Sequence, residues 1–407
     1  MYRLIVLFAV LLAPLAQAAD PVTAEAEALA QRALIVDTHI DVPYSLQEDW
    51  EDVTVRAKKG EFDWPRARAG GLNTPFMSIY TPATNPENAE ANYQLANHLI
   101  DSVEALVGRA PDKFSIVETP EEARDAMAAG RIGLAMGMEN GSPINGKLEN
   151  VRFFRNRGIS YITLAHSLAN SISDSSYDKN RPNGGLSPFG REVVAEMNRV
   201  GIMVDVSHIS DDSFWQVLDV SRAPVIASHS SARHFTPGFE RNMSDDMITA
   251  LAAHGGVIQI NFGSSFLTHE AQQYYNDWDA ARDAFVKEHG YAEEGPEVKE
   301  FQKQYRAEHA FPYASLDDLV AVFEYVIGLA GVEHVGIGSD FDGVGDSLPV
   351  GMKDVSQYPD LVAALLAKGH SEADIEAILG GNLLRVWGEV LKVAAGSDPG
   401  KTVDGRR

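Results

Sequence analysis

The chain has 407 residues, is 45% hydrophobic and 23% charged, and carries a formal net charge of −24. That length holds one large domain or two ordinary ones around a sizeable core, and the acidity argues against nucleic acid or an anionic membrane as partner. Cysteine is absent, which excludes thiol catalysis and disulfide staples.

In chain order, Met1 to Ala18 has the pattern of a secretory signal: Arg3, an apolar run from Leu4 to Leu15, and a small-residue site at Ala16-Gln17-Ala18. The expectation is an exported protein, periplasmic or secreted, with a mature chain from Ala19. The sequence has no lipid-bearing cysteine and no apolar C-terminal tail, so no membrane anchor is expected. Residues 22–33 are Ala-rich and predict a helix.

A buried strand follows over 34–41 and runs out into Asp37, His39 and Asp41, which alternate onto one face. Residues 71–80 predict a second, less regular strand, then helices over 86–109 and 119–129, the latter started by Thr119-Pro120-Glu121-Glu122. Strands are expected over 131–138 ending in Glu139, 159–165 ending in His166, and 202–207 ending in His208. Three more are expected over 224–228 ending in His229, 257–262 ending in Gly263, and 335–339 ending in Asp340. Helices are expected between them at 147–157, 188–200, 211–220, 244–254 and 315–330. The stretch 268–314 reads as a helical insertion over the mouth. Helices at 358–367 and 371–379, a Gly380-Gly381-Asn382 turn, a last helix at 383–394 and a flexible tail at 396–407 complete the chain.

Eight apolar strands alternating with helices predict a (β/α)8 barrel, a TIM barrel, as one domain over 19–395; an open doubly wound sheet is second choice. In such a barrel the C-terminal strand ends converge on one mouth. His39, Asp41, Glu139, His166, His208, His229 and Asp340 all fall at those ends, whereas His334 opens a strand at the other end. Imidazoles and carboxylates together suit zinc, with manganese or cobalt as alternatives. Two ions sharing Glu139 and a water would make a hydroxide nucleophile near neutral pH, and hence a hydrolase.

The motifs Asp37-Thr38-His39-Ile40-Asp41-Val42-Pro43, Met138-Glu139-Asn140-Gly141, Leu164-Ala165-His166-Ser167, Asp205-Val206-Ser207-His208, Ser228-His229-Ser230-Ser231-Ala232 and Gly338-Ser339-Asp340-Phe341-Asp342-Gly343 resemble the membrane (renal) dipeptidase family, peptidase family M19, of the amidohydrolase group. The resemblance spans residue 34 to Gly381-Asn382-Leu383-Leu384-Arg385. It implies a binuclear zinc dipeptidase acting on small dipeptides, including some with a C-terminal D residue. His39 and Asp41 would hold one zinc, His208 and His229 the other, and Glu139 would bridge them. His166 would bind the substrate carbonyl, Arg241 the substrate carboxylate, and Asp340 would carry the proton and hold the substrate ammonium. The resemblance also implies a homodimer. Phe266 stands where mammalian members have a tyrosine, and Gly263 is expected to leave room beside the metals. Two other functions stay open: a barrel of this kind acting on a lactone, β-lactam or N-acyl amino acid, and a non-catalytic metal-binding protein.

Overall fold

The computed structural model describes residues 23–83, 89–293 and 295–397. The signal-like segment 1–18 and the tail beyond 397 lie outside these residues. Nine strands are found among them: β1 (Ile35–Ile40), β2 (Leu72–Tyr80), β3 (Phe114–Ile116), β4 (Ile132–Glu139), β5 (Ile159–Thr163), β6 (Met203–Asp205), β7 (Ile226–Ser230), β8 (Val257–Ile260) and β9 (Val335–Ile337). All pair in parallel. β2 pairs with β4 and β9 with β1, so eight strands close a ring and the fold is a (β/α)8 barrel. β3 pairs only with the start of β4, outside the ring.

Helix boundaries follow local chemistry. The side chains of Thr119, Ser187, Ser210, Ser244 and Ser315 each accept a backbone N–H at a helix start, satisfying a donor that the helix itself cannot. The insertion forms the helices His269–His289 and Pro296–Glu308, held together by aromatic contacts such as Phe285 on Phe301, 4.3 Å between centroids.

Inside the ring, Val36, Phe76, Ala135, Tyr161, Met203, Ile226 and Val257 pack with Leu383, Leu384 and Trp387 of the last helix, Asn382–Ser397. That helix therefore plugs the end of the barrel opposite the mouth.

Several expectations need correction. The Gly380-Gly381-Asn382 turn is a kink at Gly380, where helical geometry breaks between Glu372–Glu376 and the last helix, Asn382–Ser397, and that helix runs past the expected end at 394. Gly380 is pressed onto β1, where a Cβ would come 2.3 Å from the Leu34 carbonyl oxygen. The short helices Val42–Glu48 and Trp64–Gly70 and the three-residue β3 were not anticipated. Strands β5, β6 and β9 stop at Thr163, Asp205 and Ile337, so His166, His208 and Asp340 ride on loops just beyond them.

Two seams of the ring are thin. β1 and β9 share one ladder pair, Asp37 with Ile337, and β6 and β7 share one, Asp205 with Ile226. Buried side chains lace both. Asp37 accepts from Ser339 N at 3.0 Å, His39 N at 3.1 Å and Tyr358 Oη at 2.5 Å. Asp205 accepts from Ser207 N at 3.0 Å, Ser228 N at 2.8 Å, Ser228 Oγ at 2.6 Å and Thr163 Oγ1 at 2.5 Å. Each lace fixes the backbone beside a histidine at the mouth.

Candidate metal centre and active site

His39 is fully buried at the end of β1. Tyr161 Oη donates to the Thr38 carbonyl at 3.0 Å, so at 2.8 Å from His39 Nδ1 it can only accept. The proton is therefore on Nδ1, and Nε2 presents a lone pair with no hydrogen-bond partner. Gly137 makes room for this: a Cβ there would fall 2.0 Å from Tyr161 Cζ. His229 is set in the same way. Ser228 Oγ donates to Asp205, accepts from His229 Nδ1 at 2.8 Å, and leaves Nε2 as a lone pair.

Glu139, at the end of β4, lies between these rings. Its Oε1 is 3.0 Å from His208 Nε2, 3.3 Å from His229 Nε2 and 3.6 Å from His166 Nε2. Its Oε2 is 3.5 Å from His39 Nε2, which is also 3.3 Å from Asp41 Oδ2. The His208 and His229 Nε2 atoms are 2.9 Å apart. Three clusters of close ligand atoms result: His39, Glu139 and His229; Glu139, His166 and His208; His39, Asp41 and Asp340.

Converging lone pairs and carboxylates need positive charge among them. Burial opposes a charged His39, yet Tyr161, Asp41 and Glu139 together hold its pKa well above the usual value. Burial likewise opposes ionisation of Glu139, but the neighbouring histidines hold it well below the carboxylate range. Burial, reinforced by Arg241, drives His208 and His229 well below the usual range, into the neutral form that ligates. With Asp41 Oδ1 and His39 Nε2 buried and unbonded, this donor set fits divalent metal and no other group in sight.

Backbone geometry marks two of the mouth residues, His208 and Asp340, and close neighbours of Glu139 and Asp340. Asn140, His208, Asp340 and Asp342 have φ of 79°, 69°, 63° and 65°, the left-handed region that side chains seldom adopt. Asp340 accepts from Asn261 Nδ2 at 2.7 Å, while Asn261 Oδ1 is pinned by Gly263 N at 2.7 Å. Burial foremost, with Asp41 and Glu139, pushes the Asp340 carboxyl up to about 7, against His39 and Asn261. A group of that pKa both gives and takes protons near neutrality.

Arg241 is buried, with neutral partners: NH2 donates to the His229 carbonyl at 2.7 Å and NH1 to Ser230 Oγ at 3.2 Å. Its Nε bonds to nothing. A cavity of about 1160 Å³ joins all these groups, lined by Asp41, Glu139, His166, His208, Arg241 and Asp340 among others. Gln272, Tyr275, Asn276 and Asp279 of the insertion line it too.

The sequence-chosen residues thus meet at one mouth. His334 sits at the far end, bonded to the Gly256 carbonyl, and His234 stacks on Tyr325. Gly263 leaves no gap, since a Cβ there would meet Val344 at 2.9 Å and Phe266 at 3.0 Å. Tyr161, Asn261, Tyr177 and Phe239 were not foreseen; only the alternation of β5, which turns Tyr161 inward, could have pointed to the first.

Known proteins agree with this geometry. Residues 23–399 match the family model described as membrane dipeptidase, peptidase family M19. The chain belongs to this family. An uncharacterised dipeptidase of Schizosaccharomyces pombe is 32% identical over 90% of this chain and 82% of its own length. The dipeptidase aclJ of Aspergillus oryzae is 33% identical over 82% of this chain and 71% of its own. Among solved structures, the probable dipeptidase PvdM of Pseudomonas aeruginosa superposes with a TM-score of 0.80 at 29% identity, covering 91% of this chain and 98% of that one. A Rhodobacter sphaeroides metallopeptidase, liganded with a phosphinate mimic of the dipeptide L-Ala-D-Ala, shares the fold at a TM-score of 0.72 and 24% identity, over 88% of this chain and 99% of that one. The chain is a metal-dependent dipeptidase.

Proposed function

We propose that this dipeptidase holds two zinc ions bridged by Glu139 and cleaves small free dipeptides, those with a C-terminal D residue included. The observation that carries the reading is the polarity of the cavity. A buried guanidinium with only neutral partners, Arg241, faces the same space as the carboxylates Asp41 and Asp340, with Glu139 and its histidines among them. A free dipeptide is a zwitterion that complements this layout: its carboxylate to Arg241, its ammonium to Asp340. His39 and Asp41 would hold one ion, His208 and His229 the other. Bound zinc supplies Lewis acidity and brings a water's pKa towards neutrality.

The chain's own groups do the rest. His166, kept neutral by burial, points Nε2 into the centre and donates to the carbonyl oxygen as negative charge develops there. Asp340, steadied by Asn261, takes the proton released by the attacking water and returns it to the leaving amine. The Rhodobacter protein's ligand, a mimic of a dipeptide ending in D-Ala, supports the D-residue part of the proposal. The signal-like segment supports export to the periplasm or medium, and homodimerisation remains part of the proposal. No helix of the described residues is long and apolar enough to cross a membrane.

The test is turnover of L-L, L-D and D-D dipeptides by zinc-loaded protein, beside a β-lactam and an N-acyl amino acid. Dipeptides, L-D ones among them, should be preferred, and Arg241→Ala should lower their kcat/KM by about 100-fold. A change under twofold, or a preference for the β-lactam or the N-acyl compound, would contradict recognition of a free zwitterion.

A further inference from the structure

The proposed binding orientation puts the substrate's C-terminal carboxylate on Arg241, and the side-chain site inferred from it depends on that reading. Arg241 is one end of an aromatic wall. Its guanidinium carbon lies 5.2 Å from the Phe266 ring centroid. Phe266 meets Phe239 edge-on at 5.7 Å, and Phe239 meets Tyr177 edge-on at 5.9 Å. The Tyr177 ring is in turn 5.9 Å from His208. The wall therefore runs from the carboxylate grip to the metal centre, and all its members line the one cavity.

Three separate connections build it: Tyr177 follows β5, Phe239 follows β7 and Phe266 lies in the one-turn helix Ser264–Leu267 after β8. Phe266 is buried and Phe239 partly so, while Tyr177 keeps 45% of its surface open although two rings flank it. The Cα of a residue held by its carboxylate at Arg241, with its amide near His208, has this wall alongside.

We propose that Phe266, Phe239 and Tyr177 receive the side chain of the substrate's C-terminal residue, and that the enzyme prefers dipeptides in which this residue is apolar or aromatic. An apolar side chain against these rings leaves water without giving up any hydrogen bond. The insertion helix across the cavity is no rival for a charged side chain. Gln272 and Asn276 hydrogen-bond each other at 3.1 and 2.8 Å, and Asp279 is paired with Arg282 at 2.8 Å.

The experiment measures kcat/KM of zinc-loaded enzyme for Ala-Phe, Ala-Leu, Ala-Gly, Ala-Asp and Ala-Lys, with wild type, Phe239→Ala and the rim variant Tyr177→Ala. Wild type should favour Ala-Phe and Ala-Leu over Ala-Asp and Ala-Lys by about tenfold or more. The Ala-Phe to Ala-Gly ratio should fall about tenfold in each variant and recover in Phe239→Leu and Tyr177→Phe. Wild-type preference for Ala-Asp or Ala-Lys, or ratios within twofold of wild type in both alanine variants, would overturn the wall's role. Failure to cleave any member would instead contradict the dipeptide reading, and the wall with it.

Discussion

At the level of single residues, tautomer control decides what the centre can hold. Tyr161 and Ser228 each carry a proton committed elsewhere, so each forces a histidine to offer a bare Nε2. Tyr161→Phe removes the acceptor from His39 Nδ1 and should weaken zinc binding about 10- to 100-fold, as read by chelator competition. Asp340→Asn should keep its zinc but lose about 100- to 10,000-fold in kcat on a dipeptide, because the amide cannot shuttle a proton. Unchanged zinc affinity in the first variant, or near-normal kcat in the second, would refute the assigned role. The ligating residues were legible because histidines and acids at strand ends interrupt apolar runs. Their supports were not. Tyr161 is one inward position of a buried strand, and Asn261 reads as an ordinary polar residue at a strand's end until the fold sets it 2.7 Å from Asp340.

At the level of elements, the mouth is built where the ladder is weakest. β1–β9 and β6–β7 each keep a single ladder pair, and Asp37 and Asp205 add side-chain bonds to the few backbone ones that continue past the strands, such as Asp340 N to the His39 carbonyl and Val206 N to the Ile226 carbonyl. Asp37→Ala would strand three donors, among them Tyr358 Oη, and should lower stability by about 3–5 kcal/mol in urea unfolding. A loss below about 1 kcal/mol would mean that the seam holds without it. Gly137→Ala should likewise lower both stability and zinc affinity, since the new methyl overlaps the Tyr161 ring. The order of strands and helices could be read from alternating patterns, and the helix starts from their capping serines and threonines. β3 lies outside the ring with only Phe114 of its three residues buried, so it shows no apolar run, and the two short helices after β1 bury too little apolar surface to show a period.

For the whole molecule, closing eight strands into a ring brings Asp340 against His39, three hundred residues earlier in the chain, where their ligand atoms lie within 4.8 Å. The closed topology was legible from the number of β/α units. The shape of the cavity was not, because it depends on loops and on the insertion, whose aromatic side chains find one another only in the folded chain. The proposed pairing of two metal positions by one carboxylate, Glu139, makes both of them necessary for turnover. It is tested most directly by adding zinc stepwise to chelator-stripped protein while following hydrolysis of an L-D dipeptide and counting bound metal. Stripped protein should be inactive and regain full activity only as two zinc ions bind per chain, with Glu139→Gln recovering neither. Full turnover after exhaustive chelation, or activity that saturates with one ion bound, would contradict it.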